Sequence, residues 1–211
     1  VDIFWLESVE STQTFLIDSL KNNSLRAPVL VGATLQTSGR GSRGNCWVSE
    51  KGNLFISFAL SRNNLPDDLK LESSSIYFAA ILKETLEEMG SQLWLKWPND
   101  FYLGSKKIGG VITNVVGDIL VCGIGLNLCH APLEFDILDI EIDARKLSEV
   151  YSLELEKFPT WKQIFSKFRL EFDKSRSYFT HTNNKAIELK NAILLEDGSL
   201  ECNGQRMFSL R

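Results

Sequence analysis

Lys107-Ile108-Gly109-Gly110-Val111-Ile112-Thr113-Asn114-Val115-Val116-Gly117-Asp118-Ile119-Leu120-Val121-Cys122-Gly123-Ile124-Gly125-Leu126-Asn127-Leu128 reads as two apolar, β-branched runs folded about Gly117-Asp118. A glycine at the first central position suits a two-residue hairpin turn, so Lys107–Val116 and Ile119–Leu128 are expected as antiparallel neighbours. Counting back across the turn sets Gly123 near Val111–Ile112, and Gly110 and Gly123 then open space in one region of the sheet. Glycine inside a strand marks either a core bulge or a close approach by another group. A slot for a flat or narrow ligand is the second of these readings.

Working outward, Val1–Leu6 has the pattern of a short strand. Ser11-Thr12 caps a helical segment that runs to about Lys21. Val29–Gln36 and Leu54–Leu60 read as buried strands, and Ser73–Met89 as a helix stopped by Gly90. Leu93–Trp97 is a strand ended by Pro98, and Asn99–Ser105 a turn. Two helices are expected at Ala144–Tyr151 and Thr160–Tyr178. The polar stretch His181–Asn184 reads as a linker. Ala186–Leu195, Leu200–Cys202 and Met207–Leu210 then make a small β module that needs docking to be stable. The resulting division is 1–180 for the main domain and 185–211 for the module.

The chain has 211 residues, 44% of them hydrophobic and 24% charged, which suits a globular domain with room for a small appendage. No apolar run approaches the roughly 20 residues a spanning helix needs, so no membrane partner is expected. The first residues lack the basic start of a signal peptide, and a cytoplasmic location is the expectation. Four cysteines without a Cys-x-x-Cys pair, and only two histidines, argue against a disulfide framework or a His-rich metal site. A net charge of −4 argues against nucleic acid as the partner. No helix-turn-helix module is expected ahead of Val1, and no repressor role with it.

Two further stretches carry chemistry. Gly39-Arg40-Gly41-Ser42-Arg43-Gly44-Asn45-Cys46-Trp47 combines glycines that allow close approach, arginines that can fork phosphate or carboxylate oxygens, and an indole face for a purine. A solvated surface loop is the bland alternative, and the pattern is not a P-loop. In Lys96-Trp97-Pro98-Asn99-Asp100, the last two residues can hydrogen-bond a turn or bind a nucleotide and its metal. Lys107, beside Gly109-Gly110, is either an edge-protecting lysine or a cation with room for a ligand next to it.

In this order, the segments resemble the catalytic domain of the biotin protein ligases. The resemblance runs from Glu10-Ser11-Thr12 through Leu35-Gln36, the Gly/Arg loop, Lys96–Asp100, Lys107-x-Gly-Gly and Gly-Ile-Gly-Leu-Asn. It continues weakly into Asp197-Gly198-Ser199-Leu200 and Phe208-Ser209-Leu210-Arg211. It implies an α+β fold of the class II synthetase-like biotin/lipoate ligase type: a mixed central sheet flanked by helices, with a small SH3-like C-terminal β module. It also implies activation of biotin with ATP and Mg2+, then transfer to a biotin carboxyl carrier protein or carrier domain. Carried over, Ser11, Thr12 and Gln36 bind the biotin headgroup, and Gly39, Gly110 and Gly123 line its slot. Arg40 and Lys107 are catalytic and also hold biotin. Arg43, Trp47, Asn99, Lys107 and Asn127 bind ATP, with Mg2+ held through the phosphates and Asp100 available to it. An exposed sheet edge can serve carrier docking or a homodimer.

Three positions depart from the family pattern. Ser42 and Asn45 stand where arginines are usual, and Gln13 stands where asparagine is common. The loss of two loop cations implies weaker closure over the adenylate, with Arg43 taking part of the duty or the intermediate escaping. A lipoate or octanoate ligase, and a catalytically silent module that binds biotin or nucleotide, are the rival readings.

Overall fold

The structure, a computed structural model, describes residues 1–182 and 185–208, without the side chains of Arg43 and Thr182. In chain order its elements are β1 (Asp2–Leu6), α1 (Thr12–Lys21), β2 (Val29–Ala33), β3 (Gly39–Arg40), β4 (Cys46–Trp47), β5 (Leu54–Ser61), α2 (Ser74–Glu88), β6 (Trp94–Lys96), β7 (Asp100–Leu103), β8 (Lys106–Val116) and β9 (Ile119–Leu126). There follow α3 (Ala144–Leu155), α4 (Trp161–Ser175), β10 (Phe179–Thr182), β11 (Lys185–Glu188), β12 (Ile193–Leu194), β13 (Leu200–Cys202) and β14 (Gln205–Met207).

Seven strands form one sheet in the order β1-β2-β5-β9-β8-β7-β6. The β1–β2 pair is parallel and the rest are antiparallel, so the sheet is mixed as expected. Successive strand residues face opposite ways, and the two faces are dressed differently. Leu54, Ile56, Phe58 and Leu60 of β5 join the large core formed with α2, α3 and α4. Ala59, with Val29, Val31 and Val121, packs on Leu16 of α1 across the other face. Ser57, between them in phase with Ala59, therefore lies on the α1 side. The expected hairpin is present, with Gly117 at φ 58°. Its register pairs Ile112 with Gly123 and Gly110 with Gly125, which sets these positions on the α1 face.

Several boundaries differ from the sequence reading. Asn99–Ser105 is not all turn: β7 pairs with both β6 and β8, and the chain reverses at Trp97–Asn99 and again at Gly104-Ser105. Pro98, Asn99 and Gly104 punctuate a strand too short to show periodicity. His181 and Thr182 are not linker but the end of β10, which pairs antiparallel with β11; Asn183 and Asn184 lie outside the described residues. The run Ala186–Leu195 is broken by a turn at Lys190-Asn191, just after the Leu189 amide extends the β10–β11 ladder to the Tyr178 carbonyl at 3.0 Å. The last strand is Gln205–Met207, and Ser209–Arg211 lie outside the described residues.

The C-terminal sheet β12-β13-β14 is docked on the main body. Leu189, Ala192, Leu200, Cys202 and Met207 belong to the same core as α2 and α4. The indoles of Trp97 and Trp161 donate to the carbonyls of Gly198 and Glu196, each at 2.8 Å. Among the described residues, no helix is long and apolar enough to cross a membrane.

Candidate active site

Removing side chains from the α1 face of β8 and β9 leaves a hollow, and two large side chains have moved into its margins. A Cβ at Gly123 would lie 2.5 Å from Gln13 Oε1, and one at Gly125 would lie 2.7 Å from Trp47 Cε2. Between them is a small cleft. Its walls bring together Ser11, Thr12, Gln36, Arg40, Trp47, Asn99, Lys107, Gly110 and Gly123, which sequence reading assigns from six separate segments.

One end is a polar network built on the start of α1. Ser11 caps the helix through its side chain. Gln36 Oε1 accepts from the Thr12 amide at 2.8 Å and the Thr12 hydroxyl at 3.2 Å. Thr12 Oγ1 also lies 2.9 Å from Ser57 Oγ, and Gln36 Nε2 donates to Ser49 Oγ at 3.3 Å. Ser57, Ser49 and Gln13 were not assigned by sequence; the strand phase of Ser57 beside Ala59 is the signal that could have found it.

The Gly/Arg segment is a small hairpin rather than an open loop. Gly39 pairs with Trp47 and Arg40 with Cys46, and the Gly41 amide donates to the Asn45 carbonyl at 2.7 Å. Gly39 is held between strands, where a Cβ would press on the Trp47 carbonyl at 2.7 Å. It shapes the hairpin and lines a hollow that shares Gln13, Arg40, Gly41 and Ser42 with the cleft. The exposed Arg40 and the half-buried Ser42 face the cleft. The Arg43 side chain, assigned to ATP by sequence, lies outside the described residues.

At the other end Lys107 Nζ donates to Asp100 Oδ1 at 2.6 Å, while Lys96 Nζ lies 3.5 Å from Oδ2. Burial pushes the Asp100 carboxyl up, but the two ammonium groups outweigh it and hold the carboxyl below its ordinary value. A Cβ at Gly110 would sit 3.3 Å from Asp100 Oδ1 and 3.6 Å from Lys107 Nζ, so the space its missing side chain leaves is taken up by this ion pair. Asn99 is buried, with its Nδ2 on the Val111 carbonyl.

Asn127 stands apart from the others. Its Nδ2 donates to the Asp136 carbonyl at 3.2 Å. With Val48, Pro132 and Phe135 it lines a second hollow that Trp47 also borders. Trp47 thus borders both spaces, and its buried Nε1 has no hydrogen-bond partner among the described residues.

Asp100 is a poor metal ligand in this arrangement, since both of its oxygens face lysine ammonium groups. Among the described residues no group of three or more His, Cys, Asp or Glu side chains is placed to hold a metal ion.

This sheet and cleft belong to the structural class of the biotin protein ligases. Over 98% of its length the chain superposes, at 41% identity and a TM-score of 0.93, on 99% of a biotin acetyl coenzyme A carboxylase synthetase from Helicobacter pylori with bound biotinylated ATP. It is similar over 100% of its length, at 25% identity and a TM-score of 0.74, to 98% of the biotin protein ligase from Aquifex aeolicus in complex with biotin and ATP. Residues 5–127 match the biotin/lipoate A/B protein ligase family, to which this chain belongs. Among curated relatives it is 28% identical over 169 residues to the bifunctional ligase/repressor BirA of Bacillus subtilis, which is 77% of this chain and 50% of that one. It is 32% identical over 132 residues to the biotin–[acetyl-CoA-carboxylase] ligase of Paracoccus denitrificans, 54% of this chain and 53% of that one. The chain thus spans about half the length of the curated relatives it matches.

Proposed function

We propose that this chain is a biotin protein ligase: it joins biotin to the α-phosphorus of MgATP, releasing pyrophosphate, and passes the biotinyl group from biotinyl-5′-AMP to a lysine of a biotin carrier domain. The observation that carries this reading is that one cleft holds a polar headgroup end (Ser11, Thr12, Gln36), two cations (Arg40, Lys107) and an indole (Trp47).

The first half-reaction brings two anions together, a carboxylate and a triphosphate. Arg40 and Lys107 neutralise charge that grows on the pentavalent phosphorus, a task typically worth about 3 kcal/mol per donor. Trp47 stacks on adenine, whose polar edge turns toward Asn127 in the hollow shared with Pro132 and Phe135. Asn99 stiffens the turn that presents Asp100 to Lys107. Mg2+ enters and leaves with the ATP phosphates as part of the substrate. In the second half-reaction the carrier lysine attacks the mixed anhydride and AMP departs, so no covalent bond to the enzyme is needed. Orientation does most of the work.

The edge strand β1, with Ile3 and Phe4 exposed, suits carrier docking by strand addition or a homodimer. A cytoplasmic setting, which supplies ATP and carrier, completes the proposal. The test is exchange of labelled pyrophosphate into MgATP, with biotin, lipoate or octanoate as the acid. Exchange with biotin alone is the expected result. Exchange with lipoate or octanoate instead moves the chain to the other branch of its family, and exchange with none leaves a binding module.

A further inference from the structure

Beyond the end of β9 the chain runs as irregular backbone from Asn127 to Leu138, and it supplies Asn127, Pro132 and Phe135 to the hollow that Trp47 borders. Its return limb is tied down by the Asp136 amide, which donates to the Lys107 carbonyl at 3.0 Å, and the Leu138 amide, which donates to the Asn127 carbonyl at 2.8 Å. Its outgoing limb is held by a side chain. Asn53, immediately before β5 and 3% exposed, accepts at Oδ1 from the amides of Leu128, Cys129 and His130 at 2.9, 3.1 and 3.1 Å. Its Nδ2 donates to the His130 carbonyl at 2.8 Å. Three N–H groups on one side and a carbonyl on the other fix which way this side-chain amide faces. Gly52 makes room for the clasp: it sits at φ 93°, and a Cβ there would lie 2.6 Å from Cys129 Sγ. Asn53 itself is not a wall residue of the cleft or of the hollow.

We infer that Asn53 is a positioning residue: by clasping Leu128–His130 it holds Pro132 and Phe135 at the hollow before the nucleotide arrives. This rests on the nucleotide reading given above and adds to it a residue that acts through the loop without touching the substrate. An irregular segment has no ladder of its own, and ordering it at the moment of binding costs conformational entropy that the ligand must offset. Converging three consecutive amides on one fixed oxygen settles that cost during folding instead. A leucine of similar size cannot do this, because it leaves the amides without their acceptor. An aspartate can: it offers an oxygen in the same place, with added charge, and gives up only the bond to the exposed His130.

The experiment is biotin-dependent pyrophosphate exchange by the wild type, Asn53→Leu and Asn53→Asp, with kcat and the KM of each substrate measured separately. In Asn53→Leu the KM for ATP should rise about tenfold, while kcat and the KM for biotin stay within about twofold of wild type. Asn53→Asp should bring the KM for ATP back to within about threefold of wild type. Equal changes in both KM values, a lower Tm with no such split, or an aspartate variant no better than the leucine one would each overturn the inference. If Asn53→Leu does not fold, hydrogen exchange on the wild type decides the matter. The amides of Leu128, Cys129 and His130 should be protected in the free protein, before any nucleotide is added. Free exchange there until ATP binds would mean that the nucleotide, and not Asn53, orders the loop. Lack of exchange activity in the wild type with every acid would defeat the ligase reading alone. Calorimetric titration of ATP into the three proteins then carries the comparison: weaker binding by Asn53→Leu alone supports the clasp, and equal affinities overturn it.

Discussion

Lys107 meets its substrate already paired, and that pairing shapes what its loss should do. Its Nζ sits 2.6 Å from Asp100 Oδ1 across the β7–β8 hairpin. Sequence reading groups Lys107 with Lys96–Asp100 but does not pair it with Asp100, because Asn99–Ser105 reads as a turn and a seven-residue separation says nothing about a hairpin hidden inside it. Lys107→Ala should lower biotin-dependent pyrophosphate exchange by about 100-fold or more, the usual loss for a donor aimed at developing charge; a rate within threefold of wild type would remove Lys107 from the mechanism. Asp100 makes a second prediction, about stability and pH. Its carboxyl is held below the ordinary value of 3.8 in the folded chain. A depressed carboxylate contributes stability above its unfolded pKa and loses it as pH falls through the folded one. The Tm gap between wild type and Asp100→Asn should therefore be widest near pH 6–7 and should close below about pH 4. A gap that stays constant from pH 3 to pH 7 would mean the ion pairs do not stabilise the fold.

At the level of elements, the β8–β9 hairpin was legible because three signals agree: two β-branched runs, a Gly-Asp turn and glycines in phase. Its register follows from the turn alone, and so does the position of Gly123 opposite Ile112. The β3–β4 hairpin was not legible. Its strands are two residues each, too short for any periodicity, and its pairing depends on a tight Ser42–Gly44 turn that glycine-rich sequence does not announce. That hairpin nevertheless decides where Trp47 lies, flat against the bare backbone of Gly125. Gly125→Ala tests this contact between elements. The new Cβ would come within 2.7 Å of the indole and displace it, so the KM for ATP should rise at least about tenfold. The KM for biotin, whose end of the cleft is built on α1, should change little. Equal rises for both substrates would show that the indole does not report on the nucleotide alone.

For the whole molecule, the question is whether the C-terminal strands ride on the main body or form part of its machinery. The sequence showed a small β module that required docking, but not where it docks, since the partners are carbonyls in a turn. The structure sets the turn at Glu196–Ser199 behind the Lys96–Asp100 segment. Trp97, which is fully buried, donates its indole N–H to Gly198, while its amide donates to Ser175 Oγ at 3.1 Å. Asp197 adds ion pairs to Lys70 and Arg206, and its carbonyl accepts from Ser73. The strand end that leads into Asn99 and Asp100 is thus braced by the last thirty or so residues, tying substrate chemistry to the far end of the chain. Gly198 is where this brace can be broken with a single methyl group. It sits at φ 77°, and a Cβ would lie 3.0 Å from both Ile76 Cδ1 and Trp161 Cη2. Gly198→Ala should destabilise the protein by about 1–3 kcal/mol through backbone strain and crowding, lowering Tm by about 2–12 °C for a chain of this size. If the brace is integral, calorimetry will show one cooperative transition shifted as a unit, and exchange activity will fall at temperatures where the variant remains folded. Two transitions, with only the lower one shifted and activity untouched, would mean that the strands beyond β11 merely rest against Trp97 and Trp161.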